Sequence, residues 1–210
     1  MHLYDYPDNT KINMAILEVY KNCNVKTFPI DCNAILRCYG FKVFTYAYIK
    51  KQNPRLFELS QSYSSDAFKC GKLIAYNEKM PINRTRFSLM HELGHHVLGH
   101  KKEVPECEDE ADLFASHILA PRIAIHKKSC RTADQIHDIF GLSYCASNRA
   151  LADYNKWFKH ICWTTRKPSE PELELQERLV LAFQVNEIAE SKGRILVPIY
   201  RFPELDIQSI

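Results

Sequence analysis

Apolar and polar positions along this chain repeat with two different periods, and each change of period marks an element. Over residues 9–20 the apolar side chains fall at Ile12, Ala15, Ile16 and Val19, the spacing that gives a helix one buried stripe. Asp31 offers a carboxylate to the free backbone N–H groups of a second helix running to Cys38, which Gly40 ends. Residues 41–49 are dense in aromatic and β-branched side chains and read as a strand. A second β region spans 67–76, with Gly71 as a turn or bulge inside it. Pro81 and Asn83 punctuate the chain ahead of a helix over 85–98. Residues 99–105 form a short polar connection, and a helix over 106–119 follows, stopped by Pro121. Two more helices are expected over 133–140 and 143–158, with Gly141 in the turn. The run Lys167-Pro168-Ser169-Glu170-Pro171 reads as a linker, 173–189 as an apolar-rich helix, and 195–200 as a strand interrupted by Pro198. The pattern is that of an α+β protein.

Composition narrows the class. With 210 residues, 46% of them apolar, and a formal charge of +3, the chain can bury one sizeable core and is not of the disordered type. Near-balanced charge gives no global attraction to nucleic acid, although 122–167 holds nine Lys/Arg against three Asp. The start, Met1-His2-Leu3-Tyr4-Asp5-Tyr6-Pro7, lacks a basic stretch followed by an apolar one, so no signal peptide is expected. No apolar run approaches the ~20 residues that span a bilayer. Eight scattered cysteines with no Cys-x-x-Cys pair point to reduced thiols in a cytoplasm, most of them small core fillers.

The chemistry lies in His91-Glu92-Leu93-Gly94-His95. Histidines four apart on a helix stack on one face, about 5–6 Å between Cβ atoms, which suits two imidazoles meeting one Zn²⁺. Glu92, one position on, sits beside that face, where a carboxylate can take a proton from water and later give it to a leaving amine. A catalytic zinc needs a third protein ligand. His100 is five residues past His95, about 140° round the helix, so it cannot join the pair unless the helix breaks. The next helix offers a better donor. Glu108 can bind the metal while Asp112, one turn on, accepts the second N–H of a ligating histidine and fixes its tautomer. Glu110 is the runner-up, about 200° from Glu108, so only one of the two is expected to bind. The bland reading of this acidic run is that it favours a helix N-terminus.

The run from Asn77 through Arg84, Arg86 and Phe87-Ser88-Leu89-Met90 into the histidine motif, then Glu108-x-x-Ala111-Asp112-x-Phe114-Ala115 and Leu119-Ala120-Pro121, resembles the ImmA/IrrE metallopeptidases over about 28–151. The resemblance implies zinc held by His91, His95 and Glu108, with Glu92 catalytic. It also implies a zincin-like core with a small antiparallel sheet ahead of the metal helix, 67–76 supplying the edge strand along which a substrate adds. It further implies a substrate of regulatory type, a helix-turn-helix transcriptional repressor. Ser88, Asp112 and Ala120 stand where threonine, asparagine and methionine are commoner, and none of these removes a ligand.

The expected organisation is a zincin-like core over 1–121, a helical, helix-turn-helix-like region over 122–167, and a C-terminal helix and strand over 168–210. Residues 133–154 look like a DNA-reading unit, but the second helix offers mainly Asn148 and Arg149 to bases, so DNA binding is not expected. His96, His117 and His126 read as surface, core or cleft-rim residues. Tyr76, Arg84 and Arg86, with His117 weaker, are candidates to steady an oxyanion. The rival readings are a DNA-binding or toxin–antitoxin regulator that does not use the zincin fold for catalysis, and a hydrolase of a non-protein amide.

Overall fold

The computed structural model describes residues 9–102, 104–164 and 167–179. Helix α1 (Thr10–Asn22) buries Ile12, Ile16, Val19 and Tyr20 along one stripe, as the periodicity predicts. Its Tyr20 hydroxyl donates to the Ile118 carbonyl at 2.9 Å, tying α1 to a helix almost a hundred residues away. Asp31 caps α2 (Cys32–Cys38) by accepting from the Ala34 N–H.

The expected strand over 41–49 is corrected. Only β1 (Lys42–Thr45) is extended, and Thr45 then accepts from the Tyr48 N–H and starts α3 (Tyr46–Gln52). Asn53 caps α4 (Pro54–Tyr63) in the same way, with Pro54 in the first turn, where its missing N–H costs nothing. Aromatic and β-branched side chains favour a strand only weakly. Here two capping side chains and burial of Tyr46 and Ile49 outweigh that preference.

The β region over 67–76 is a hairpin of β2 (Ala67–Cys70) and β3 (Leu73–Tyr76). The sheet is ordered β1-β3-β2, with β1 parallel and β2 antiparallel to β3. Two expectations change. The sheet is mixed, not antiparallel, because α3, α4 and β2 together form the long crossover that parallel pairing requires. Of the hairpin, only β2 is an edge; β3 is central. Register sorts the two faces. Ala67 pairs with Tyr76 and Lys69 with Ile74, and Ala67, Ile74 and Tyr76 join the main core. Phe68, Leu73 and Ala75 face the opposite way, onto Tyr46, Ile49, Leu56 and Phe57.

Among the described residues, helices α5 (Ile82–Val97) and α6 (Pro105–Leu119) share the most extensive contact between two elements. Gly94 permits it. A Cβ added there would lie 3.0 Å from Phe114 Cδ1 and 3.3 Å from the Cα and carbonyl oxygen of Ala111. Two of those neighbours are backbone and the third is a fully buried ring, so none can yield without parting the helices. Gly94→Ala is therefore expected to lose stability, its crowding penalty of about 1–3 kcal/mol exceeding the ~1 kcal/mol gained in helix propensity. Urea denaturation of the two proteins checks this, and a more stable variant would refute it.

Pro121 ends α6 as expected but also opens a short helix, α7 (Arg122–Lys127), that apolar periodicity is too brief to reveal. A Thr132–Gln135 capping box starts α8 (Ala133–Phe140), and α9 (Tyr144–Thr164) runs six residues beyond the expected end. Residues 170–179 are helical, so the expected linker shrinks to 167–169. Ser169 donates its N–H and its hydroxyl to Glu172 there. The expected helix over 173–189 lies only partly within the described residues, and the expected strand over 195–200 lies outside them.

Candidate metal centre

Helix α5 turns its apolar side, with Leu89, Met90, Leu93 and Gly94 buried, toward the core and leaves His91, Glu92 and His95 half-exposed. The four-residue spacing places His91 Nε2 and His95 Nε2 3.0 Å apart. Close packing of α6, allowed by Gly94, brings Glu108 over them. One carboxylate oxygen is 3.3 Å from His91 Nε2 and the other 3.4 Å from His95 Nε2. A tetrahedral ion with bonds of roughly 2.0–2.1 Å sets its donors about 3.3 Å apart. The three side chains form the one group among the described residues that meets the geometry of a metal site, every ligand atom lying within 4.8 Å of the others.

Hydrogen bonding tests whether a cation fits. His91 Nδ1 lies 2.7 Å from Asp112 Oδ1. An ionised carboxylate only accepts, so His91 in its neutral form would carry its proton on Nδ1 and turn a bare lone pair at Nε2 to a metal. Burial first, and then neighbouring His91, push His95 down to about 4, with Lys69 and His100 acting in the same direction. Its ring is therefore neutral at physiological pH, the form a metal takes. Two imidazole nitrogens and a carboxylate converge, and a divalent cation would satisfy all three.

Helix α5 stops at Val97, so the break that would free His100 from the helical spacing does occur, although His100 is not one of the three grouped side chains. Gly99 adopts φ of 74°, and the His100 N–H returns to the His95 carbonyl at 3.0 Å. The His100 ring then sits behind the His95 ring, its Nδ1 3.0 Å from His95 Nδ1 and its Nε2 3.0 Å from Glu110 Oε2. Glu110 also accepts from Lys11 Nζ at 2.7 Å. The runner-up ligand thus lies outside the metal group and on the far side of His100. The sequence signal for this was Gly99, a residue that commonly ends helices with a left-handed turn.

The site opens into a cleft of about 770 Å³ between edge strand β2 and the N-terminal turn of α6. His91, Glu92 and His95 form its floor; Phe68 and Lys69 line one wall, Val104 and Glu108 the other. By register Lys69 shares the α5-facing side of the sheet with Ile74, and sequence reading had overlooked it. Of the oxyanion candidates, none lines the cleft. Tyr76 and Arg86 are buried, Arg86 donating to the carbonyls of Ile30 and Gly141. Arg84 Nε holds Asp66 at 2.6 Å. His117 is buried against Asp153. His96 meets Lys72 and the rings of Tyr39 and Phe41, while His126 bonds the Tyr154 hydroxyl.

A family model described as Peptidase_M78, IrrE N-terminal-like domain, matches residues 48–152, half of the chain. It covers α5, α6 and every residue of the metal group. No curated protein and no solved structure matches the chain.

Proposed function

The chain belongs to the Peptidase_M78 family of IrrE N-terminal-like domains, and from that premise we propose a zinc-dependent endopeptidase that cuts a regulatory protein. His91, His95 and Glu108 hold the ion. The observation that carries the reading is the convergence of two imidazole nitrogens and a carboxylate, 3.0 to 3.4 Å apart. A divalent ion bound there supplies Lewis acidity to water and to a peptide carbonyl.

The chain's own residues do the rest. Glu92 lines the same cleft but is not one of the three grouped side chains. It takes the proton of the attacking water and returns it to the leaving nitrogen. The exposed edge of β2 supports an extended substrate segment, which would pair with it by main-chain hydrogen bonds along the cleft. A helix-turn-helix repressor is the substrate class we favour, on the family resemblance. The α8–α9 pair serves packing in this reading. Its turn is held to α5, Asn83 Nδ2 donating to the Leu142 carbonyl at 2.9 Å and Arg86 Nη1 to that of Gly141 at 3.2 Å.

The test uses full-length protein loaded with zinc and mixed with the helix-turn-helix repressor encoded nearest to it. One zinc per chain and cleavage at a single site, abolished by chelator and restored by zinc, are expected; mass spectrometry reads both. Protein that takes up no stoichiometric zinc sinks the proposal. Zinc uptake with an intact repressor, and with binding to operator DNA in its place, would favour the regulatory alternative.

A further inference from the structure

The two ligand histidines are supported differently. His91 rests directly on a carboxylate, Asp112. Among the described residues, the partner of His95 Nδ1 is another imidazole, His100, and behind that one stands a carboxylate, Glu110. The order of donors and acceptors in this chain has one solution for neutral rings. Glu110 can only accept, so His100 must carry its proton on Nε2. The Nδ1 of His100 is then an acceptor, and the group facing it 3.0 Å away, His95 Nδ1, must be the donor. With its proton committed to Nδ1, His95 turns a bare Nε2 toward His91 and Glu108.

We propose that His100 is the positioning residue for His95, holding that ring in the metal-binding tautomer and orientation through its own bond to Glu110. This role presupposes the metal site proposed above. Its parts come from separate elements: His95 from α5, His100 from the turn made at Gly99, Glu110 from α6. The far end reaches α1, where Lys11 Nζ holds the same Glu110 oxygen at 2.7 Å. His100 is suited to such a post, its side chain only 6% exposed although Glu110 lies at the surface. With His100 itself held by Glu110, the His95 ring is fixed from behind through its Nδ1 and loses less freedom when it takes up an ion, which is the physical source of the affinity that outlying partners of a ligand contribute.

The experiment titrates full-length wild type, His100→Leu and His100→Asn with zinc against a chromophoric chelator. His100→Leu removes the acceptor and is expected to weaken zinc binding about 10–100-fold at unchanged stoichiometry. His100→Asn keeps an acceptor oxygen near the position of Nδ1 and should recover most of that loss, which a purely steric role would not allow. Imidazole ¹⁵N spectra of metal-free wild type give a second readout, independent of the variants' folding. They should show His95 protonated at Nδ1 and bare at Nε2. A folded His100→Leu with wild-type zinc affinity overturns the proposal, as does His95 found with its proton on Nε2. Should wild type bind no zinc, the metal-site reading falls, and the tautomer in the metal-free spectrum still decides whether His100 orients His95.

Discussion

Glu92→Gln is expected to leave the protein folded and zinc-loaded and to slow peptide hydrolysis by about 10²–10⁴-fold, the range that one positioned proton-transfer group contributes. The two halves of this result come from different features. Metal retention follows because Glu92 is outside the group formed by His91, His95 and Glu108. Loss of rate follows because glutamine keeps the size of glutamate, and its hydrogen-bonding reach, but cannot accept the proton of an attacking water. The carboxylate is also where such a base should be, half-buried on the floor of the cleft between the two ligands in sequence. Its charge reaches buried Tyr46, whose phenol is pushed up to about 12 by burial first and by Glu92 next. Single-turnover cleavage followed by mass spectrometry, beside a zinc titration, reads both halves. Undiminished cleavage would remove Glu92 from the mechanism; loss of zinc would make it a ligand.

The second large effect is expected far from the cleft. Arg122 on α7 is 3% exposed at its side chain, and its Nη2 donates to Glu172 Oε1 at 3.1 Å. Asp153 of α9 lies 3.7 Å from the other guanidinium nitrogen and also meets His117 of α6 at 3.2 Å. Glu172 therefore joins the helical residues 170–179 to α6, the helix that carries Glu108. Glu172→Ala removes the nearest carboxylate from a buried guanidinium and the acceptor that caps Ser169. Breaking such a pair from one side costs about 3–5 kcal/mol. With Asp153 still in place, a loss near ~3 kcal/mol is expected, a fall in melting temperature of roughly 6–12 °C. Glu172→Gln, which keeps the volume and most acceptors, should lose less. Urea denaturation at neutral pH measures both, and a change for the alanine variant below ~1 kcal/mol would contradict the assignment.

The same network fixes a pH dependence. Burial would raise the Asp153 carboxyl, but the His117 hydrogen bond and Arg122 more than offset this and hold it below the usual aspartate range. A folded-state value below the unfolded one means that the stabilisation is complete above the unfolded value of about 3.9 and is lost as pH falls through the folded one.

Helices α1, α2, α5, α6 and α8 were legible because each has either a repeat of apolar positions long enough to show its period or a clear cap, such as Asp31 before α2. Helices α3 and α7, at seven and six residues, offer barely two turns of pattern. Helix α4 shows a different limit: Leu56 and Phe57 of its apolar side are only half-buried, and of its ten residues Ser60 alone is fully buried. The direction of β1 was not readable either, since pairing partners are chosen across the fold and not within the strand.

The metal site divides along the same line. The spacing of His91 and His95, and the placing of Glu108 four residues before Asp112, determined by themselves which side chains share a helix face, because an α-helix converts sequence separation into angle. Which carboxylate would reach the histidines was undecided between Glu108 and Glu110 until α6 packed on α5 at Gly94, since the angle between two helices depends on the side chains that meet where they cross. His100 shows the limit most plainly. An unbroken helix would have carried it away from His95; a single left-handed residue, Gly99, returned it to within 3.0 Å. Local spacing set the two histidines on one face, the helix crossing chose the carboxylate that meets them, and the turn at Gly99 decided what stands behind His95.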